Sequence, residues 1–353
     1  MKPPVKLGLY GCGNRTRALL DALYGEDAYD VVSAFDIRAE STQSLCEKYG
    51  GKICRNAEEM LNVKGVEAVL ISLDPFAHPE AFYRTVETGK PIFIEKPIAM
   101  TAAEAHRMMT TAQEKKISVH VGFLRRYESR HVAARKFMAE HDTGRLFSVV
   151  CNWHHAGETE MINCLNNAPD NFRLKVSQIP FHCCHALDVV RLYGGDVKAV
   201  NARGIKVVQR LYPSPDEVIA TLQFAGGAIG YFHYSSMAYC GRIDYLIHTE
   251  NYTIKYSPGL EIWQRPPTRQ RRGEFLKDCR VAYNSNQGPN RYEFGCDNDH
   301  TIDAVIMRDF LNMVRDGTPS KVSIEDAYKV AELAEAIERS WQEQQEIKLP
   351  LSF

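Results

Sequence analysis

The tripeptide Glu95-Lys96-Pro97 carries the most pointed chemistry of this 353-residue chain. It closes a short apolar run, Ile92-Phe93-Ile94, and precedes Thr101-Ala102-Ala103-Glu104, a capping box that opens a helix. An apolar run flanked by Gly89 and Pro91 predicts a strand buried on both faces. Lys96 then lies just past the carboxyl end of that strand, the edge at which open α/β sheets hold ligands. An amine there can polarise an oxygen, or take a proton if burial lowers its pKa. Histidines are the other candidate proton carriers. His182 and His185 flank the adjacent cysteines Cys183 and Cys184, while His154 and His155 follow Trp153. Asn171, Arg173, Tyr234 and His300 add side chains suited to vicinal hydroxyls.

Such groups need a scaffold, and the first third of the chain predicts one. Residues 5–10 read as a strand, Gly11-Cys12-Gly13-Asn14-Arg15-Thr16 follows directly, and Ala18 to Leu23 form an apolar helical face. Strand, glycine turn and helix in that order are the fingerprint of a dinucleotide-binding unit. Gly11 permits the turn, and Gly13 lets the backbone approach a pyrophosphate at the helix amino end, beside Asn14 and Arg15. Thr16 stands at the third glycine position. The second strand, 31–35, ends in Asp36, where an acid binds the adenosine ribose hydroxyls and repels a 2′-phosphate. NAD is therefore the expected cofactor. Arg38 has the chemistry to accommodate such a phosphate, and Asp36 can also cap the following helix. Leu73 and His78, around the loop after a strand at 66–73, join Glu95 and Lys96 as the remaining expected cofactor contacts.

Strands alternating with helices imply a parallel, right-handed, doubly wound sheet over residues 1–123. From 124 to 353 the pattern changes to a substrate-binding α/β domain. Strands at 146–153, 197–208, 218–224, 228–235, 243–249 and 252–256 are joined in part by turns such as Ala225-Gly226-Gly227 and Glu250-Asn251. They predict an open, mostly antiparallel sheet. Residues 266–295 read as a long loop, and helices at 302–316 and 324–342 end the chain. A net charge of −1 without a basic block gives no electrostatic case for nucleic acid or a membrane surface. No apolar run approaches a membrane span and the start lacks a signal-peptide core, so a cytoplasmic location is expected. The ten cysteines are expected to be free thiols, and without paired Cys or His spacings no metal is expected.

Together these residues resemble the Gfo/Idh/MocA oxidoreductases, relatives of glucose-fructose oxidoreductase and inositol dehydrogenase. The resemblance rests on Gly8-Leu9-Tyr10-Gly11-Cys12-Gly13, Glu95-Lys96-Pro97 and Gly122-Phe123-Leu124-Arg125-Arg126-Tyr127, then His185-Ala186-Leu187-Asp188 and Arg308-Asp309-Phe310-Leu311. It implies a Rossmann domain, a second domain whose open sheet mediates homo-oligomerisation, and hydride transfer between a substrate hydroxyl and the nicotinamide. It places Lys96 beside both, with His185 as partner from a D-x-x-x-H-x-x-D motif that ends at Asp188. The first acid of that motif is Phe181 here. Positions 181, 185 and 188 share a helical face, and His182 nearby either stands in for the missing acid or merely packs. The expected substrate set is Lys96, Arg126, His154, His155, His182, His185 and Asp188, with Lys96 or His185 as base. The implied substrates are sugars, inositols, sugar acids and glycosides, and the expected reaction is oxidation of a sugar or glycoside ring hydroxyl at C3. Two other readings stand beside it: an NAD-dependent glycosidase acting through transient oxidation, and a non-catalytic dinucleotide-binding sensor.

Overall fold

The computed structural model describes residues 3–154, 177–208, 213–238, 241–257, 259–264, 290–292 and 299–353. Six short parallel strands form the first sheet: β1 (Val5–Tyr10), β2 (Tyr29–Phe35), β3 (Lys52–Ile53), β4 (Ala68–Ile71), β5 (Ile92–Ile94) and β6 (Val119–Val121). Every residue of β4, β5 and β6 is buried, which is why these strands read as unbroken rather than alternating apolar runs. Helices α1 (Asn14–Asp21), α2 (Ala39–Tyr49), α3 (Ala57–Leu61), α4 (His78–Val86) and α5 (Ala102–Glu114) connect them. The order β3-β2-β1-β4-β5-β6 reverses between β1 and β4. The crevice past the carboxyl ends at such a reversal is the ligand site of doubly wound sheets.

A turn of 3₁₀ helix at Leu124–Tyr127 and α6 (Ser129–Glu140) lead into the second sheet. Its strands are β7 (Leu146–His154), β8 (Val197–Ile205), β9 (Glu217–Phe224), β10 (Ile229–Ser235), β11 (Arg242–Thr249), β12 (Tyr252–Tyr256), β13 (Leu260–Gln264), β14 (Asn290–Tyr292) and β15 (Ile347–Lys348). They lie in the order β14-β13-β12-β11-β7-β10-β9-β8-β15. All pairings are antiparallel except β7 with β10, which is parallel. Along β7, Val149, Cys151 and Trp153 are buried while Val150, Asn152 and His154 are only half-buried, so one face of the sheet is covered. The cover consists of α7 (Gln178–Phe181), α8 (Cys184–Gly194) and α10 (Ile324–Glu343).

The last two helices return to the first sheet. Helix α9 (Asp299–Asp316) packs on α1 and β1, and α10 packs on α5 as well as β8. Val121 N–H also donates to the Val322 carbonyl at 3.0 Å. Strands β3, β14 and β15 are not evident from the sequence, because two or three residues are too few for alternation to register, and the five-residue β13 is missed as well. Strand β14 falls inside the stretch read as a loop, and the remainder of 266–289 and 293–295 lies outside the described residues. Among the described residues no helix is long and apolar enough to cross a membrane, and no cluster of His, Cys, Asp and Glu could hold a metal. Among the described residues six cysteines are free thiols.

Candidate active site

At the switch point the chain turns on Gly11, whose φ is +102°. A Cβ there would sit 2.1 Å from the Ser72 carbonyl oxygen, so only glycine fits between the ends of β1 and β4. Thr16, in the third glycine position, is buried and donates its hydroxyl back to the Gly11 carbonyl at 2.8 Å, closing the turn with a hydrogen bond. Gly13 faces open space apart from the Arg38 guanidinium, 3.8 Å from where its Cβ would be. Asp36 is pinned from both sides. Its Oδ2 accepts the Cys12 N–H at 2.9 Å and its Oδ1 the Arg38 N–H at 2.9 Å. Each oxygen keeps a lone pair for a ribose hydroxyl. Beside it opens a cleft of about 520 Å³ lined by Cys12, Gly13, Asn14, Arg17, Arg38 and Ser41, among others. Ile37, between Asp36 and Arg38 in sequence, is 90 % exposed. These residues fit a dinucleotide. Burial pushes the Cys12 thiol up to about 12, so it is inert there.

Three expected cofactor contacts carry structural bonds. Arg15 Nε donates to Glu95 Oε1 at 2.7 Å and its Nη1 to Asp303 Oδ2 of α9 at 2.7 Å. Glu95 Oε2 accepts the Lys96 N–H at 3.1 Å, and Gly122 leaves the space this carboxylate fills, since a Cβ there would lie 2.7 Å from it. Glu95 therefore braces Arg15 against the end of β5, while the buried Arg15 Nη2 keeps no hydrogen-bond partner and can still serve a ligand. His78 is fully buried and cannot touch a cofactor. It accepts the Leu73 N–H at 3.2 Å on Nε2, which leaves Nδ1–H to donate to the Pro97 carbonyl at 2.8 Å. Burial lowers its pKa, in keeping with that neutral tautomer.

Past β5, Lys96 Nζ lies 3.4 Å from the Phe181 carbonyl oxygen and 5.2 Å from the centroid of the Phe181 ring. The residue replacing the expected acid thus meets the lysine with its ring and its backbone. His185, on the first turn of α8, is 7 % exposed, and its Nδ1 is buried without a hydrogen-bond partner. Burial, then Lys96, Arg125, His182 and Arg15, hold its pKa well below the usual histidine range, so the ring is neutral. His182 Nδ1 accepts the indole N–H of Trp153 at 3.1 Å, and the two histidine rings are 6.5 Å apart.

The adjacent arginines diverge. Arg126, expected at the substrate, is 9 % exposed and grips Asp188 with Nε and Nη2 at 2.6–3.0 Å. It also reaches Asp326 at 3.2 Å, so Arg126 and the fully buried Asp188 fasten α8 to α10 rather than face a ligand. Arg125 is the residue that reaches the site. Its guanidinium lies 5.7 Å from the Trp153 ring and its charge bears on His185. Glu128 holds it by an ion pair while accepting the Tyr256 hydroxyl. The sequence signal was present in the Arg-Arg pair, but its register was not. His154 is also misplaced as a substrate ligand. Alternation along β7 turns it away from Trp153 onto the open face, where it bonds His233 at 3.0 Å, which in turn contacts Glu217 at 2.8 Å. Tyr234 is a core residue at 1 % exposure. His155, Asn171, Arg173 and the side chain of His300 lie outside the described residues.

Two family models match the chain: the NAD-binding Rossmann fold of the Gfo/Idh/MocA oxidoreductases over residues 5–123 and the Gfo/Idh/MocA C-terminal domain over 131–255. Among curated relatives, a glucose-6-phosphate 3-dehydrogenase of Bacillus subtilis (strain 168) is 26% identical over 144 residues, 41% of each chain. An inositol 2-dehydrogenase of Salmonella paratyphi B is 30% identical over 148 residues, 40% of this chain and 43% of the relative. The matched region therefore spans about two-fifths of the length of these relatives. In fold, the WlbA dehydrogenase of Bordetella pertussis, solved with NADH and UDP-GlcNAcA, superposes with a TM-score of 0.82 at 17% identity, covering 100% of this chain and 99% of that one. The two models together cover more than half of the residues, and the chain belongs to the Gfo/Idh/MocA oxidoreductase family, with an NAD-binding Rossmann domain at residues 5–123.

Proposed function

We propose that the protein oxidises a secondary ring hydroxyl of a sugar or glycoside, at C3, with NAD⁺ as acceptor. The observation that carries this reading is the grouping of Lys96, neutral His185 and Arg125 past the carboxyl end of β5, beside the nucleotide turn. The named relatives support a dehydrogenase of cyclic polyhydroxyl compounds, and one of them supports position 3. When bound, the nicotinamide supplies hydride acceptance. The chain supplies the rest. Lys96 brings positive charge to the hydroxyl oxygen as negative charge develops there. His185 offers a nitrogen lone pair to the departing proton. Trp153 fixes the tautomer of a neutral His182 so that Nε2–H is its donor, and Phe181 shields the lysine from water on one side. Arg125, fixed by Glu128, is placed to hold neighbouring hydroxyls. The half-buried open face of the second sheet, with Val150, Ile219 and Tyr231, is the proposed contact between copies. A monomeric mass by light scattering at micromolar concentration would refute that contact.

Turnover of NAD⁺ with a panel of sugars, glycosides and inositols, read by NADH absorbance and product mass, tests the reaction. Stoichiometric NADH with a product two hydrogens lighter supports it. Cleavage of a glycoside without net NADH assigns a glycosidase, and binding without any turnover a sensor.

A further inference from the structure

With phenylalanine at position 181, the ammonium of Lys96 has no acid there to aim it, so its direction has to be set from elsewhere. Its Nζ meets the Phe181 carbonyl at 3.4 Å and the Phe181 ring at 5.2 Å, neither of which carries a negative charge. A flexible four-carbon stem separates Nζ from the backbone, so where the stem starts decides where the amine can go. The backbone is leaving the sheet at that point. Glu95 N–H still donates to the Ile71 carbonyl at 2.9 Å, whereas the next donor, Lys96 N–H, goes to the Glu95 carboxylate, with Oε2 at 3.1 Å. On the far side the Pro97 carbonyl is held by His78. The buried Glu95 carboxylate has one seat: Gly122 leaves room for it, and Arg15 Nε holds its Oε1 at 2.7 Å. Arg15 is seated in turn by the buried Asp303 of α9, whose Oδ2 accepts Nη1 at 2.7 Å. Both are short charge-assisted bonds, which fix geometry as well as charge. We propose that Asp303 and Arg15 are positioning residues for Lys96: through Glu95 they fix the backbone from which the lysine extends, doing from behind what an acid at position 181 would do from in front. Without the guanidinium, the Glu95 carboxylate turns to solvent or takes a proton, and either change releases Lys96 N–H. Without Asp303 the guanidinium keeps Glu95 but loses its own anchor, a smaller disturbance.

The proposal rests on the reading of Lys96 as the group at the hydroxyl oxygen, and two measurements on the full chain keep the two apart. Competitive acetylation with acetic anhydride, read at Lys96 by peptide mass spectrometry against the exposed Lys136, needs no substrate. Asp303→Asn and Arg15→Gln should each raise the relative rate at Lys96 by about threefold or more, as the amine leaves its place beside Phe181. Turnover of NAD⁺ with glucose 6-phosphate, inositol and methyl glucoside is the second readout. Asp303→Asn should lower kcat by about tenfold and Arg15→Gln by more, since a displacement of about 1 Å at the chemistry costs on the order of 10². KM for the substrate and, for Asp303→Asn, the NADH dissociation constant should stay within about threefold. In the Lys96→Ala background either substitution should cost less than about twofold further, because it acts through the missing amine. Asp303→Asn keeps the side-chain volume and decides the matter if Arg15→Gln does not fold. Lys96 labelling that rises in neither variant, an undiminished kcat in Asp303→Asn, a kcat loss that persists in full in Lys96→Ala, or a loss confined to NADH affinity overturns the proposal. If the wild type turns over none of these substrates, the dehydrogenase reading falls instead, and the labelling alone decides the positioning.

Discussion

The two walls of the pocket were built under different constraints. On the nucleotide wall, Gly11, Gly13 and Asp36 act through their own backbone or through a side chain one bond from it, so residue type and position nearly determine the contact. On the facing wall, what a side chain does depends on which way a turn or strand happens to point it. Arg125 and Arg126 are neighbours with opposite duties, and His154 follows Trp153 yet lies on the other side of the sheet. On the first wall local geometry decides the contact, whereas the second wall is an outcome of tertiary packing.

Substitutions can break that contrast. The largest effect is expected at Lys96, the point where the walls meet. Lys96→Ala should lower kcat by about 10²–10⁴ while the NADH dissociation constant stays within about twofold. Undiminished turnover would remove the lysine from the chemistry. Next comes the arginine pair. Arg126→Ala leaves Asp188 fully buried without its guanidinium partner, and should cost about 3–5 kcal/mol in urea unfolding. Arg125→Lys keeps a cation for Glu128 and should cost about 1 kcal/mol or less, showing instead in KM through the lost guanidinium fork. If the two variants exchanged these phenotypes, the register drawn between them would be wrong.

A third effect concerns pH. His120, fully buried between β6 and the segment before α10, bonds Ser320 at 3.0 Å, and burial holds its pKa at about 4 against an ordinary 6.5. The unfolded chain therefore binds this proton first on acidification. Stability is complete above pH 6.5 and is lost as pH falls from there towards 4, with about 2 kcal/mol gone by pH 5. His131, held at about 3, adds to the loss in the same direction. His120→Gln should flatten this slope between pH 7 and 5, and an unchanged slope would assign the acid sensitivity elsewhere. The smallest effect is expected at His182. Its removal strips the Trp153 indole of an acceptor, costing about 1 kcal/mol, with kcat reduced less than about tenfold. A fall beyond a hundredfold, with the acidic limb of the pH profile displaced, would instead make His182 the substitute for the acid absent at Phe181.

Much of the scaffold was legible because buried strands and capped helices announce themselves over short windows. The β5 run, the Thr101 cap and the glycine turn were each readable from fewer than ten residues. Pairing in the second sheet was not, since the parallel match of β7 with β10 joins strands about eighty residues apart and no local pattern encodes a partner. In the site, Lys96 and Asp36 were legible, but the burial of His78 was not. Its ring is held by Leu73 and Pro97, groups that only the folded loop brings within reach.

The tie from Arg15 to Asp303 spans 288 positions of the chain. A ribosome emits the nucleotide turn long before the helix that steadies it. Until α9 and α10 emerge, α1 and α5 lack those packing partners, and of the two described carboxylates that hold Arg15, Glu95 alone is in place. The first sheet can assemble early, yet its flank is covered only once α9 and α10 have followed. A nascent chain stalled before residue 299 would carry its sheet of six strands with an uncovered flank, and would be the species that a chaperone has most reason to hold.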